Sequence, residues 1–305
     1  MRYLFTVVTL VLTVAVAACD STPPTITPAP DEGALIEEAT LAPDVDELAI
    51  DVLNSQVAVG LERVAFNMTN PDGSPVDPGS EATLVFYKVS ELSPGQNQLQ
   101  KSAEGSALYF GESMPHGGSW VVYNDFDTSG SWYFDVSVTN ADGTVSQGRG
   151  RVEVAGRIDT PRLGQTPPTT DTPKLTDGAA LADLTSDPDP DEALYQMTVG
   201  EAIESGKPTL VLFASPGHCA NEDCAATLAA VRRIARQKAG ELNVIHIESR
   251  DLADPTQMSA TAKAWGLPSE PWTFLFDNRG FLVARVEGPV EQVELGLLID
   301  QMVKQ

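Results

Sequence analysis

The sequence predicts a chain of two folded parts of different class, an all-β part followed by an α/β part. Three observations carry this. From about residue 48 to 155, short alternating runs are separated by turn residues, with no helical periodicity. From about residue 193, apolar runs alternate with segments of helical spacing. Between them, residues 156–192 carry Pro161, Pro167, Pro168, Pro173, Pro188 and Pro190 among Thr and Asp, the composition of an extended, semi-rigid linker. A chain of 305 residues is long enough to give each part its own core.

Taken in order, Met1-Arg2-Tyr3 supplies one positive charge, and Leu4–Ala18 is apolar, broken only by threonine. That length suits the apolar region of a secretory signal and is short for a membrane span. The run closes on Val16-Ala17-Ala18-Cys19, which resembles a bacterial lipobox. The resemblance implies a signal peptide over residues 1–18, a lipid on Cys19, and a chain anchored to the cell membrane on its extracytoplasmic side. An ordinary signal peptide cut nearby, or an uncleaved anchor, is the alternative. Residues 19–47 are rich in Pro, Thr and acid, too poor in apolar surface to fold, and read as a disordered tether.

In the all-β part the strand candidates are Arg63–Met68, Ala82–Val89, Ser119–Tyr123, Ser131–Thr139 and Thr144–Val154. Turns fall at Asn70-Pro71-Asp72-Gly73, Ser93-Pro94-Gly95-Gln96, Ser129-Gly130 and Asn140-Ala141-Asp142-Gly143. About seven strands at this spacing point to an immunoglobulin-like β-sandwich over 48–155, its core filled by Trp132 or Tyr133. His116, in a Gly-Pro loop near Met114, reads as a solvated turn residue.

The α/β part opens on Thr209–Ala214, an apolar run bounded by Lys207-Pro208 and Ser215-Pro216-Gly217, hence a buried strand ending in a tight turn. Cys219 and Cys224 follow, then apolar residues at helical spacing: Leu228, Val231, Ile234 and Ala235. A cysteine at such a junction gains from the unpaired amides and positive dipole end of the helix, which stabilise a thiolate. The thiolate is the nucleophile of disulfide exchange. With Cys19 assigned to lipid, this pair is what remains of the three cysteines, in an exported compartment that permits disulfides.

The order of elements resembles a thioredoxin-like domain over 193–305. A strand at Asn243–Glu248 follows, then a helix near Thr256–Trp265, then Gly266-Leu267-Pro268-Ser269-Glu270-Pro271-Trp272 and a strand, the turn Asp277-Asn278-Arg279-Gly280, the strand Phe281–Val286 and a last helix at Val290–Val303. The resemblance implies that Pro271 is cis and faces the cysteines, with Trp272 and His218 beside the partner groove. It also implies that Cys219 attacks a partner disulfide while Cys224 resolves the intermediate.

One departure stands out. Thioredoxins have two residues between their cysteines, whereas Ala220, Asn221, Glu222 and Asp223 make four here. Five positions on a continuous helix turn the side chains about 140° apart, so a disulfide needs an irregular loop or an unwound first turn. The spacing and the preceding Pro-Gly also resemble one group of peroxiredoxins, but their threonine three residues before the reactive cysteine is Pro216 here. Glu222 and Asp223 raise thiol pKa values by like-charge repulsion while a protonated His218 lowers them, so the sequence sets no redox direction.

The function expected is a membrane-anchored, extracytoplasmic thiol–disulfide oxidoreductase acting on protein thiols and disulfides. A thiol peroxidase and a non-enzymatic assembly module with a structural disulfide are the alternatives. No cofactor or metal is expected, since no phosphate-cradling loop or paired-histidine motif occurs and His246, between Ile245 and Ile247, reads as structural. A net charge of -24 with only 19 Lys and Arg leaves no basic stripe for nucleic acid.

Overall fold

The computed structural model describes residues 27–28, 46–93, 96–111, 114, 117–176 and 180–304. The signal segment, Cys19, His116 and most of the tether lie outside the described residues.

The strand-rich part holds β1 (Thr27–Pro28), β2 (Asp46–Val52), β3 (Val57–Ala58), β4 (Gly60–Thr69), β5 (Glu81–Ser93), β6 (Gln96–Phe110), β7 (Ser119–Phe126), β8 (Gly130–Thr139) and β9 (Val145–Ala155). Its strands follow the order β1-β6-β5-β8-β9-β2-β4-β7, and β6 pairs again with β7, closing a ring of seven. Two strands make the closure. β2 runs parallel to β9 through Asp46–Leu48 and then antiparallel to β4 through Ala49–Val52. β6 pairs with β5 over most of its length and with β7 through Leu108–Phe110.

The expected fold class, an α/β thioredoxin-like domain beside an immunoglobulin-like sandwich, is corrected by this topology. The chain is mostly β, its strand-rich part is a closed barrel rather than two stacked sheets, and a thioredoxin α/β domain is not evident. Among the described residues only two α-helices run longer than six residues. Alternation in sequence reports which residues point inward but not whether the outermost strands find each other. Here β6, a 15-residue strand of Gln, Ser and Ala with little β-branched character, bends from one face to the other.

The barrel core is aromatic. Phe66, Phe86, Phe126, Trp132 and Phe134 are at most 1% exposed. The ring of Phe134 lies 5.2 Å from that of Phe66 and 5.3 Å from that of Phe86. Period-two alternation sends Trp132 inward, its Nε1–H donating to the Thr128 carbonyl at 3.0 Å, and leaves Tyr133 half-buried outside beneath Arg151. Phe134 pairs in register with Gly150, where any Cβ would meet its ring at 2.2 Å.

The second sheet is four-stranded, in the order β11 (Asn243–Glu248), β10 (Thr209–Ala214), β12 (Trp272–Phe276) and β13 (Leu282–Glu287). β10 and β11 are parallel, the other neighbours antiparallel. Helices α1 (Val199–Glu204), α2 (Asp223–Gln237), α3 (Ala260–Ala264) and α4 (Gln292–Lys304) cover it. β10 is buried along its whole length, which its unbroken apolar run requires. Leu210, Leu212 and Ala214 pack with α2 and α4 on one face, while Val211 and Phe213 pack with Trp265, Trp272 and Phe274 on the other.

The Pro-rich segment before this sheet lies along it. Gly164 N–H donates to the Leu282 carbonyl and Leu282 N–H to the Gln165 carbonyl, both at 2.8 Å. Leu194 and Tyr195 are buried in the face that also holds α2.

Barrel and sheet meet across buried charges. Arg63 of β4 grips Glu294 of α4 with both arms, Nε to Oε1 at 2.6 Å and Nη2 to Oε2 at 2.9 Å. Its neighbour Glu62 accepts from Arg285 Nη2 of β13 at 2.5 Å. Burial pushes the Glu62 carboxyl up, and Arg285 opposes it. Burial works against the charge on Arg63 too, but Glu294 outweighs it and holds the guanidinium charged. Deleting one partner of such a pair costs about 3–5 kcal/mol, because the other is left charged and buried. The two pairs therefore lock the relative placement of barrel and sheet.

Candidate functional site

The candidate site sits where β10 ends. Ser215 is fully buried, and its carbonyl accepts from the amides of His218 at 2.9 Å and Cys219 at 2.8 Å, so Ser215-Pro216-Gly217-His218 closes as a tight turn. Gly217 is required there, since a Cβ would meet the Ser186 carbonyl oxygen at 2.5 Å. Ser186, from the Pro-rich segment, braces the turn by accepting from Gly217 N–H at 3.0 Å and donating to Glu248 Oε1 at 2.7 Å. Asp187 pairs with Arg232 of α2, tying the same segment to the cysteine helix.

α2 begins at Asp223, four residues beyond Cys219. Asn221 explains part of the delay, as its Oδ1 accepts from Asp223 N–H at 3.1 Å and its Nδ2 donates to Asp223 Oδ2 at 2.7 Å. Cys219 thus lies in an irregular loop and Cys224 in the first turn of the helix. The loop resolves the spacing problem: the two cysteines form a disulfide with Cα atoms 6.0 Å apart. Cys224 is fully buried in the core, while Cys219 is half-buried at the core's edge beside the exposed His218 and Ala220.

Around the disulfide, the Glu270–Pro271 peptide bond is cis and Pro271 is buried. His218 is exposed in the turn beside Cys219. Trp272 does not line a groove near the cysteines. It is 1% exposed, stacks on Phe274 with ring centroids 5.8 Å apart, and lies on the opposite face of the sheet. The reason is alternation: a residue next to Pro271 on a strand points the other way.

Glu270 was not singled out in the sequence, yet it converges on the cysteines. A carboxylate oxygen of Glu270 and both cysteine sulfurs lie within 4.8 Å of one another, the one such grouping of three potential metal ligands among the described residues. Its side chain is 4% exposed, and Oε1 accepts from Arg250 Nε at 2.5 Å. Oε2 is buried with no hydrogen-bond partner, an arrangement that costs about 1–3 kcal/mol. The available signal was a lone carboxylate directly before the proline that the family resemblance set beside the cysteines.

His246, on β11, is 1% exposed. The Ala214 carbonyl can only accept, so Nε2–H donates to it at 3.0 Å, and Nδ1 accepts from the Tyr195 hydroxyl at 2.6 Å. Burial pulls its pKa down to about 4, so the ring is a neutral structural bridge at pH 7. Glu248, two residues on, is pushed up by burial and steadied by Ser186 and Thr185.

A cleft of about 290 Å³ opens beside the cysteine helix. Asp223 and Pro289 form one wall, and Met114 and Gly118 of the barrel form the other. The barrel therefore reaches the residue that precedes Cys224.

No protein-family model and no curated protein sequence matches the chain. Among solved structures it is similar to a thiol:disulfide interchange protein of the thioredoxin family from Chlorobium tepidum TLS, at 12% identity and a TM-score of 0.30, over 36% of this chain and 89% of that one. It is also similar to the fibronectin type-III domain of a human fibronectin type III domain containing protein, at 14% identity and a TM-score of 0.20, over 39% of this chain and 93% of that one. Likeness of this degree bears no argument about function, which rests on the residues of the site themselves.

Proposed function

We propose that the Cys219–Cys224 pair performs thiol–disulfide exchange with protein partners outside the cytoplasm. The observation that carries this reading is the asymmetry of the pair: a half-buried cysteine in an irregular loop, bonded to a fully buried cysteine in the first turn of α2. Only the outer sulfur is open to a partner, and only the inner one is held in place to displace it. In the reducing direction Cys219 thiolate attacks a partner disulfide, forming a mixed disulfide and releasing one partner thiolate. Cys224 thiolate then attacks the Cys219 sulfur, the intramolecular disulfide forms, and the second partner thiolate leaves. Two electrons pass to the partner, and the reverse sequence oxidises it. The barrel wall of the neighbouring cleft supports a role in selecting that partner. The lipid tether on Cys19 belongs to the same proposal, supported by the apolar run that ends in Val16-Ala17-Ala18-Cys19.

The test is reduction of a model disulfide such as insulin by the full chain. Cys219→Ser abolishes turnover, and Cys224→Ser accumulates the mixed disulfide at Cys219. Wild-type turnover no faster than that of Cys219→Ser sinks the reading. Peroxide consumption by the same wild-type preparation would instead indicate a thiol peroxidase. Membrane fractionation of cells producing Cys19→Ser tests the tether, which fails if the variant stays with the membrane as the wild type does.

A further inference from the structure

The disulfide does not account for Glu270. A carboxylate oxygen of Glu270 lies within 4.8 Å of both sulfurs, its Oε2 is buried without a partner, and the bonded pair offers that carboxylate neither a proton donor nor a positive charge. Reduction changes its surroundings, because two thiols then stand where the disulfide stood. Two thiolates and a carboxylate converging on one point form a donor set for a borderline-soft divalent cation, and no imidazole is needed to complete it.

We propose that reduced Cys219 and Cys224, together with Glu270 Oε2, form a redox-gated site for a zinc-type divalent cation. The site has three protein ligands and a fourth position open to solvent. A tetrahedral ion of this kind needs donor atoms about 3.5–3.8 Å apart. A Glu270 carboxylate oxygen and the two sulfurs lie within 4.8 Å of one another, and Cys219 sits on a loop outside the helix, free to adjust once the sulfur–sulfur bond is gone. Arg250 plays the part of an outer partner: its Nε bond to Oε1 fixes the carboxyl plane and leaves Oε2 for the ion. Entry is from the exposed side, past His218 and Ala220. The protein's strongly acidic charge favours cation approach.

The inference rests on the proposed exchange reading in one respect, that the pair is reducible. A dithiol reductant gives two electrons and two protons to the disulfide and is itself oxidised to a disulfide. The cation then binds both sulfurs and displaces their two protons. When a partner disulfide later oxidises the pair, the sulfur–sulfur bond re-forms, the partner takes up two electrons from the thiolates and two protons from solvent, and the cation leaves. Metal and disulfide therefore exclude each other.

The experiment uses the full chain in detergent, reduced with a phosphine, its free thiols counted by alkylation and mass spectrometry, and titrated with zinc(II) against a chromophoric chelator. Reduced wild type binds one zinc per chain and the oxidised protein binds none. Glu270→Gln weakens binding by at least about tenfold, the lower bound for losing even an outer partner. Zinc K-edge absorption on the reduced wild type needs no variant and shows two sulfurs plus oxygen neighbours. Reduced, exchange-active protein that binds no zinc overturns this proposal alone, as does affinity unchanged in folded Glu270→Gln or a shell of four sulfurs bridging two chains. A disulfide that yields no thiols under the phosphine overturns both this proposal and the exchange reading.

Discussion

The barrel and the four-stranded sheet bury different things. The inside of the barrel is aromatic and aliphatic, and its only buried charges among the described residues, Glu62 and Arg63, point outward into the sheet's side chains. The sheet and its helices bury His246, Glu248, Asp277, Arg285 and Glu294, along with Cys224 and the Glu270 carboxyl. A core without titratable groups holds its shape at any pH and does no chemistry. One that buries them carries an energetic cost that varies with pH and redox state. The difference separates scaffold from working part, and single substitutions can test it.

The largest effect belongs to the barrel. Phe134→Ala removes a ring that touches Phe66, Phe86 and the Gly150 backbone, and rigid strands on every side cannot collapse into the gap. Urea denaturation is expected to show a loss of about 3–5 kcal/mol. The loss should be the same at pH 7 and pH 4.5, because no titratable side chain lines that cavity. A loss that changes with pH would break the comparison.

The sheet should behave in the opposite way, and His246 is the place to see it. The folded protein keeps its imidazole neutral down to about pH 4, whereas the unfolded chain takes up a proton near the ordinary value of 6.5. Between those two values the unfolded state binds more protons, so stability falls as pH falls through the window and levels off below it. The full shift corresponds to about 3 kcal/mol. Glu248 works in the other sense, because burial raises its pKa and acid then favours the folded state. The informative quantity is therefore the difference between wild type and His246→Gln, measured by urea denaturation from pH 7 to pH 4. The variant should lose much less stability over that range than the wild type. Equal slopes would mean that the imidazole is not held neutral by the fold.

These contrasts were unevenly legible in the sequence. The strands at 209–214 and 243–248 stand at the positions read from the sequence, the first because full burial leaves a continuous apolar signal. The inward turn of Trp132 follows from period two. Closure of the barrel was not legible, since it depends on β2 and β6 each dividing its length between two different strands, and on β2 reaching β9 about a hundred residues away. At the site, the demand for an irregular loop followed from helix geometry alone, and the loop is present. The side of the sheet that Trp272 occupies was a matter of strand parity that family resemblance overrode. The Glu270–Arg250 pair was hidden because its members are 20 positions apart and meet only when two loops fold together.

The smallest expected effect has the opposite sign. Thr273 of β12 is 1% exposed, between Leu212 and Val286 in register, and its hydroxyl oxygen has no partner. Valine keeps the branched shape and removes the stranded hydroxyl, so Thr273→Val should stabilise the protein by about 1 kcal/mol. The barrel is not exempt from such defects, since the Asn124 side chain is also buried without a partner. Thr273 loses a single hydroxyl on replacement by valine, whereas Asn124 strands both its oxygen and its nitrogen, and this makes Thr273 the cleaner probe. A rise in the urea midpoint with an unchanged slope would show that the sheet carries a polar group its packing does not require. A fall in the midpoint would mean the hydroxyl is satisfied in solution, and the contrast between the two cores would then rest on titratable groups alone.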